Sequence, residues 1–377
     1  MFKKLLPWYL LALVVLSLAF IYGCGAAPTS GGGGGSLSNR VGTYSYAGTQ
    51  SPGDVWSWTI STETFTGSCE SGLQSGFWVT GEWNILASGF SKAHVINSSD
   101  DGAKGSYAYF LEFPNTMLLV KPLSEGGNND KVIICAASTT LEPATGRYNF
   151  VNIPKRNWDT SASALGTVEV TNPGGPGGDW DFNVVNFLIT GEPCSSSIES
   201  DYTYSNGTFS KDGSPLKIFM TPSFVFLGDN GPDQGGFGGA SLEAISTSEL
   251  SSIINHTFIG VRFLYYPLTG TGETEPVKLV KKAGTDTVRG GGLNVETGDN
   301  LPNTGYVEIT FEAQQANGFI KANVASYNQY SVYLGYQMFQ GIISRIGPAD
   351  NKKYMLFGIG YEYDSDRAFN FLAIQND

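Results

Sequence analysis

The sequence predicts an all-β protein made of tandem small antiparallel β-barrels after an N-terminal signal or anchor segment, with β-sandwiches as the alternative architecture. Three observations support this prediction. The 377 residues include 49 Gly and 17 Pro, which interrupt helices, and 13 % aromatic residues, which favour strands. Apolar and polar residues alternate with period two over short runs. Two sequence landmarks also recur in the same order three times.

The chain begins with a targeting segment. The pair Lys3-Lys4 precedes an apolar run over residues 5–22, and this run ends in Ile21-Tyr22-Gly23-Cys24. These last residues resemble the lipobox of bacterial lipoproteins, in which an aliphatic residue and a small residue precede the lipidated cysteine. The resemblance implies a signal peptide over residues 1–23 and a Cys24 that carries acyl chains such as palmitate. An uncleaved anchor helix or an ordinary secretory signal is the alternative.

Residues 24–36 form a Gly-rich tether, which is expected to behave as a flexible coil. By the same resemblance, Gly25 rather than Asp after the cysteine favours the outer membrane, on its periplasmic or surface face. The formal net charge is −12, and no Lys/Arg cluster offsets it, which argues against nucleic acid as a partner. The expected partners are the membrane, through the lipid anchor, and an envelope protein, a glycan or a small apolar ligand.

The mature part divides into three units of similar length. The first landmark is a Leu followed five residues later by Gly or Asn and then by a strand-like segment, and its copies begin at Leu37, Leu141 and Leu250. The second landmark is a strand, a proline turn, an apolar strand, a polar loop and another apolar strand. The predicted units are 37–137, 141–245 and 250–377, and one or two larger β domains are the alternative.

Period-two alternation predicts eight strands in the first unit. Their short connections imply antiparallel neighbours, and a closed barrel leaves no exposed edge. The barrel loosely resembles those of lipocalins. The predicted strands are 43–49, 55–60, 64–68, 77–86, 90–96, 106–113, 116–121 and 131–136.

The later units are predicted in less detail. In the second unit the last apolar strand is expected at 241–245. A turn or two of helix is expected near 248–254, and the Gly-rich stretch 269–304 of the third unit is expected to be an extended loop.

The sequence contains little that predicts catalysis. It lacks the HExxH, GxSxG and GxxxxGK[ST] motifs, and His94 and His256 occupy different places in their units. Three cysteines of the mature chain, Cys69, Cys135 and Cys194, allow at most one intramolecular disulfide and show no CxxC zinc pattern. No cofactor is expected.

Two groups of residues are candidates for binding. Asp229 and Asp233 lie in an Asp/Gly-rich segment that could take Ca²⁺, although the same residues are common turn formers. Four tryptophans of the first unit are candidates for stacking on a sugar or enclosing an apolar ligand, and filling of the core is the alternative. They are Trp56, Trp58, Trp78 and Trp83.

Three functions remain open at this stage. The leading hypothesis is a membrane-anchored bacterial lipoprotein whose tandem β domains have a non-enzymatic binding or envelope-structural role. The first alternative is a carrier barrel for a small apolar ligand or glycan. The second is a hydrolase that uses paired carboxylates, for which the sequence shows no pairing.

Overall fold

The computed structural model describes residues 42–50, 54–72, 74–122, 132–139, 141–153, 163–221, 225–230, 236–266, 271–301, 304–347, 352–362 and 367–377. These residues form three closed antiparallel barrels of eight strands each, which confirms the predicted fold class. The signal segment, the tether and Cys24 lie outside the described residues. Within the part of the chain that is described, no helix is long and apolar enough to cross a membrane.

Barrel 1 follows the sequence prediction closely, because every predicted strand boundary lies within three residues of the observed one. A 3-10 turn at Asp101–Ala103 joins its fifth and sixth strands. Its interior is filled by aromatic and aliphatic side chains, among them Tyr46, Phe65 and Phe110. The strands are β1 (Tyr44–Gln50), β2 (Asp54–Ile60), β3 (Thr64–Ser71), β4 (Trp78–Ile85), β5 (Ser91–Ser98), β6 (Tyr107–Phe113), β7 (Met117–Pro122) and β8 (Ile133–Ala137).

Barrel 2 closes through pairing of its first and last strands. Its interior is again aromatic, with Trp180, Tyr202, Phe209 and Phe226 buried together. The strands are β9 (Gly146–Ile153), β10 (Leu165–Thr171), β11 (Trp180–Phe187), β12 (Pro193–Ser205), β13 (Thr208–Ser210), β14 (Lys217–Met220), β15 (Val225–Asp229) and β16 (Gly236–Ser241).

Barrel 3 is preceded by a short helix, α1 (Thr247–Ile253), in the region where the sequence predicts one. Ser246 caps this helix by accepting from the Glu249 amide, and Leu250 and Ile253 pack into the barrel interior. The strands are β17 (Phe258–Tyr266), β18 (Thr271–Lys281), β19 (Thr287–Gly292), β20 (Tyr306–Gln314), β21 (Ile320–Tyr327), β22 (Tyr333–Ile346), β23 (Lys353–Glu362) and β24 (Arg367–Gln375).

Two sequence predictions were wrong, and in both the glycines were the cause. The stretch 269–304, expected to be a loop, contains β18 and β19. The last strand of barrel 2 lies at Gly236–Ser241 rather than at 241–245. Glycine is required there because a Cβ at Gly238 would lie 2.6 Å from the Phe357 ring of barrel 3. Close approach of neighbouring barrels, rather than a turn, explains this glycine.

The outward-facing apolar residues of the three barrels form one shared core. Leu119 and Ile134 of barrel 1, Leu227 of barrel 2, and Ile342 and Phe357 of barrel 3 belong to the same buried cluster. This cluster is separate from the three barrel interiors. The barrels therefore pack on each other through their outer walls as well as each enclosing its own core.

Buried polar side chains also join the barrels. The Asn370 amide of barrel 3 donates to the Asn152 carbonyl of barrel 2 at 2.9 Å, and Gln340 donates to the Ile189 carbonyl. Between barrels 1 and 2, Thr49 donates to Asp229 at 2.8 Å. Such buried contacts fix how neighbouring barrels sit, because leaving either partner unpaired costs its desolvation.

Candidate functional site

A cavity of about 640 Å³ lies in barrel 3. Its walls come from inward-facing residues of the strands, and its rim from the β19–β20 connection and the adjoining ends of β21 and β22. The helix α1 lies at the opposite end, because it leads into the start of β17. The buried apolar wall residues are Val277, Leu279, Ile309, Val324, Phe339, Phe369 and Phe371.

An ion pair lies in the wall of this cavity. Arg262 on β17 and Glu275 on β18 are direct cross-strand neighbours, and Arg262 Nη2 lies 2.6 Å from a Glu275 carboxylate oxygen. Arg262 Nε is buried and has no hydrogen-bond partner among the described atoms. The Arg262 side chain as a whole is 24 % exposed and lines the cavity, so other parts of the guanidinium face the enclosed space.

Barrel 1 contributes the polar side of the same cavity. Tyr109 and Lys121 are cross-strand neighbours on β6 and β7, and both are buried where barrel 1 meets barrel 3. The Tyr109 hydroxyl donates to Glu296 at 3.1 Å, and Lys92 forms an ion pair with Glu296 at 2.6 Å. Burial, and secondarily the Glu296 charge, raises the pKa of Tyr109 well above its ordinary value. The hydroxyl therefore remains a neutral donor.

A run of glycines leaves part of the wall bare. Gly290, Gly291 and Gly292 end β19 and line the cavity. At Gly290 the side-chain space is already occupied, because a Cβ would collide with Leu279. At this position the strand contributes only backbone to the wall, and Leu279 from the neighbouring strand supplies the side chain.

Barrel 2 holds a smaller cavity of about 290 Å³. Its polar end is a chain of hydrogen bonds in which Asn152 donates to Ser163 at 2.8 Å and Ser163 donates to Asn186 at 3.1 Å. Asn186 in turn donates to Ser195 at 3.1 Å. These groups largely satisfy one another, which makes this cavity a weaker candidate than that of barrel 3.

The four candidate tryptophans of barrel 1 do not share one surface. Trp56 and Trp58 are buried in the barrel interior and stack with ring centroids 5.6 Å apart. Trp83 donates its indole N–H to the Ser61 carbonyl at 3.0 Å, and Trp78 is 42 % exposed. Trp56 and Trp58 therefore have the positions expected of core-filling residues. Ligand binding at the tryptophans stays a prediction.

The two calcium candidates differ in what can be said of them. Asp229 is buried and accepts from Thr49, so it serves the contact between barrels 1 and 2. Asp233 lies outside the described residues. Among the described residues, no group of three or more His, Cys, Asp or Glu side chains could hold a metal ion.

The two histidines lie far apart in surface settings. His94 stacks on Tyr107 with ring centroids 4.9 Å apart, next to the β5–β6 connection. His256 lies 3.1 Å from an Asp377 carboxylate oxygen and also contacts Gln375. Each histidine therefore contacts side chains near it at the protein surface.

The three described cysteines are free thiols, and they differ in access. Cys69 and Cys135 are buried, whereas Cys194 is exposed on β12. Burial raises the pKa of the Cys69 thiol to about 11 and that of Cys135 well above its ordinary value. Both therefore remain thiols near neutral pH, and only a thiolate reacts rapidly.

We expect a chromogenic aromatic disulfide reagent at pH 8 to modify one thiol per native chain, at Cys194. Three thiols are expected after unfolding in guanidinium. A Cys194→Ser variant should give none in the native state. A fourth thiol in the unfolded mature protein would show that Cys24 is not lipidated, and an oxidised pair would appear as fewer than three.

The geometry of barrel 3 indicates residues that the sequence reasoning missed. Arg262 and Glu275 were not among the candidates, although Arg262 interrupts the apolar strand at a position that shares the inward face with Phe258. Period two alone could have placed a charged residue on an otherwise apolar inner face. The cross-strand partner could not be found without the register of β17 and β18.

No protein-family model matches the sequence, and a search of curated proteins found no match. Among solved structures, the chain is similar to transferrin binding protein B from Haemophilus parasuis, with 9 % identity and a TM-score of 0.29 over 89 % of this chain and 76 % of that one. It is also similar to a DUF3598-family protein of unknown function from Nostoc punctiforme, with 8 % identity and a TM-score of 0.24 over 62 % of this chain and 96 % of that one. At these TM-scores the similarities carry no argument about function.

Proposed function

We propose that the protein is a lipid-anchored, non-enzymatic binding protein of the bacterial envelope whose third barrel holds a small amphipathic molecule. The observation that carries the binding role is the cavity of about 640 Å³ in barrel 3. Small-molecule sites commonly measure roughly 300–1,000 Å³ and combine apolar walls with a few polar groups that orient the ligand. The barrel 3 cavity has both properties.

The lining indicates the chemistry of the ligand. The apolar wall formed by residues such as Val324 and Phe339 takes a hydrocarbon or ring system. The Arg262 guanidinium lines the cavity and offers a charged donor, so the polar end of the ligand carries an acceptor such as a carboxylate or a phosphate oxygen. Glu275 holds the guanidinium in place from its other side.

We predict that Val307→Trp abolishes ligand binding, because Val307 is half-buried in the cavity wall and an indole there fills the cavity. Native mass spectrometry of protein purified from its own host should show a co-purifying small molecule on the unaltered chain and none on the variant. Displacement of a fluorescent fatty acid provides the second measurement. It is preferable to intrinsic fluorescence, because the last tryptophan of the sequence is Trp180.

The matched control is Val184→Trp, which places the same side chain at a half-buried valine in the smaller cavity of barrel 2. This variant should bind the probe as the unaltered chain does. Loss of binding in the barrel 2 variant alone would move the site to that barrel. An unaltered chain that carries no ligand and binds no amphipathic probe would contradict the proposed function.

The anchor is proposed from the lipobox resemblance at Cys24. A protein that carries more than one acyl chain binds a bilayer stably, since each buried CH₂ contributes about 0.8 kcal/mol. We predict that Cys24→Ala abolishes metabolic palmitate labelling and moves the protein from the membrane fraction to the soluble fraction. A Cys194→Ser variant, which removes the exposed thiol, should keep both the label and the membrane location. Labelling that persists in Cys24→Ala would contradict the anchor.

A further inference from the structure

The open end of barrel 3 carries a concentration of exposed apolar side chains. Eleven large hydrophobic residues are exposed among the described ones, and five of these lie in the β19–β20 connection or where β21 leads into the first residues of β22. They are Leu301, Tyr330, Val332, Tyr333 and Leu334. Soluble proteins rarely gather exposed apolar side chains in one place without a use for them.

Four of these residues belong to one ordered hairpin, residues 327–335, which we name the rim hairpin. The Asn328 side chain accepts from the Tyr330 amide at 2.9 Å and from the Val332 amide at 3.0 Å. Ser331 has a φ of +60°, a left-handed conformation that is uncommon for residues other than glycine. Local hydrogen bonds thus hold the apolar side chains in the solvent, where packing within the chain would not place them.

The rim hairpin is continuous with the cavity. Tyr327 and Leu334 line the cavity, and the Tyr327 ring stacks on Tyr306 with centroids 4.9 Å apart. Tyr333 packs edge-on against Tyr327, with centroids 5.8 Å apart. Aromatic contacts therefore connect Tyr333 of the hairpin, through Tyr327, to the wall of the cavity.

The rim hairpin itself carries no charge. No Asp, Glu, Lys or Arg occurs between Lys321 and Arg345 in a protein with a formal net charge of −12. Tyrosine is the residue of choice at the boundary between water and hydrocarbon, because its ring is apolar and its hydroxyl is polar. A charged or strongly hydrated partner would find no complementary group on the rim hairpin.

We infer that the rim hairpin inserts into the surface of a lipid bilayer. This insertion would orient the mouth of the barrel 3 cavity toward the bilayer. The lipid anchor proposed at Cys24 would hold the chain within reach of this surface, with residues 25–41 between the anchor and the first described residue. Through this contact, barrel 3 would load or release an amphipathic ligand at the membrane. This use of the contact rests on the proposed function. The contact itself does not depend on a ligand.

The inference is tested on the full mature chain in vesicles of phosphatidylethanolamine and phosphatidylglycerol. A Cys194→Ser background leaves no exposed thiol among the described cysteines. An environment-sensitive fluorophore is then attached through Gln329→Cys at the hairpin tip, or through Asp286→Cys as control. Both positions are exposed, and antiparallel order places the β18–β19 turn with Asp286 at the opposite end of barrel 3.

We expect the fluorophore at position 329 to shift to shorter wavelength and to lose most of its emission when nitroxide-labelled lipid is included. The fluorophore at 286 should do neither. Adding Tyr330→Ser, Val332→Ser and Leu334→Ser to the 329-labelled chain should abolish the quenching while leaving the fold intact, since all three side chains are exposed. No ligand is added, so a failure here is distinct from a failure of ligand binding.

Three results would overturn the inference. The first is equal emission from positions 329 and 286. The second is quenching that survives the triple serine substitution. The third is a shift at 329 that nitroxide lipid does not quench and that grows with protein concentration, which would assign the rim hairpin to contact with a second copy of the chain.

Discussion

Replacing Phe357 with alanine is expected to lower the free energy of unfolding by about 3–5 kcal/mol, the usual cost of emptying a buried phenylalanine site. Phe357 is 2 % exposed and belongs to the core shared by the three barrels. Its ring lies against Gly238 of barrel 2, whose lack of a side chain admits it. The cavity left behind would therefore open between barrels 2 and 3 rather than inside either.

The location of that cavity predicts how the loss is distributed. Hydrogen–deuterium exchange should show lower protection in β16 of barrel 2 as well as in β23 of barrel 3. Phe371→Ala is the control, because Phe371 is buried inside barrel 3 among its own core residues. It should lower protection in barrel 3 and leave β16 unchanged. Equal protection of β16 in the two variants would mean that the shared core does not couple the barrels.

The sequence was sufficient for the architecture of barrel 1 because there the apolar and polar residues alternate in short, well-bounded runs. It was not sufficient at Gly236–Ser241 and at Gly290–Gly292, where glycine was interpreted as a loop signal. In the structure these glycines lie in strands, since Gly238 meets Phe357 of another barrel and Gly290 meets Leu279. Sequence periodicity describes which face a residue takes, and it does not reveal what approaches that face.

The same limit explains why the candidate site moved from barrel 1 to barrel 3. The four tryptophans of the first unit predict a site there, but large aromatic side chains fill a small barrel, as Trp56 and Trp58 do. The barrel that keeps a cavity of about 640 Å³ is the one without tryptophan among its residues. Space for a ligand depends on how inward-facing side chains of several strands meet, and period two alone shows only which face each side chain takes.

Gly260→Ala is expected to cost about 3 kcal/mol, at the upper end of the range for overpacking, because the added Cβ meets backbone rather than a movable side chain. It would collide with the Leu372 carbonyl and lie 2.5 Å from Ala373 Cα. Gly260 pairs with Ala373 where β17 and β24, the first and last strands, close barrel 3. Separation of these strands would expose a long unpaired edge at the closure of the barrel.

Thermal unfolding followed by far-ultraviolet circular dichroism measures this loss. Gly291→Ala is the matched control in the same barrel, because the nearest heavy atom to its added Cβ is 3.7 Å away, an ordinary contact. That variant should unfold within a few degrees of the unaltered chain. If Gly260→Ala were equally benign, β17 and β24 would have to tolerate a wider spacing, and closure of barrel 3 would not depend on a glycine at this pair. Gly48 and Gly239 lie where the first and last strands of barrels 1 and 2 pair, and a Cβ at either position would also collide with a backbone carbonyl. The requirement for glycine at the closing strand pair therefore extends to each barrel of the chain.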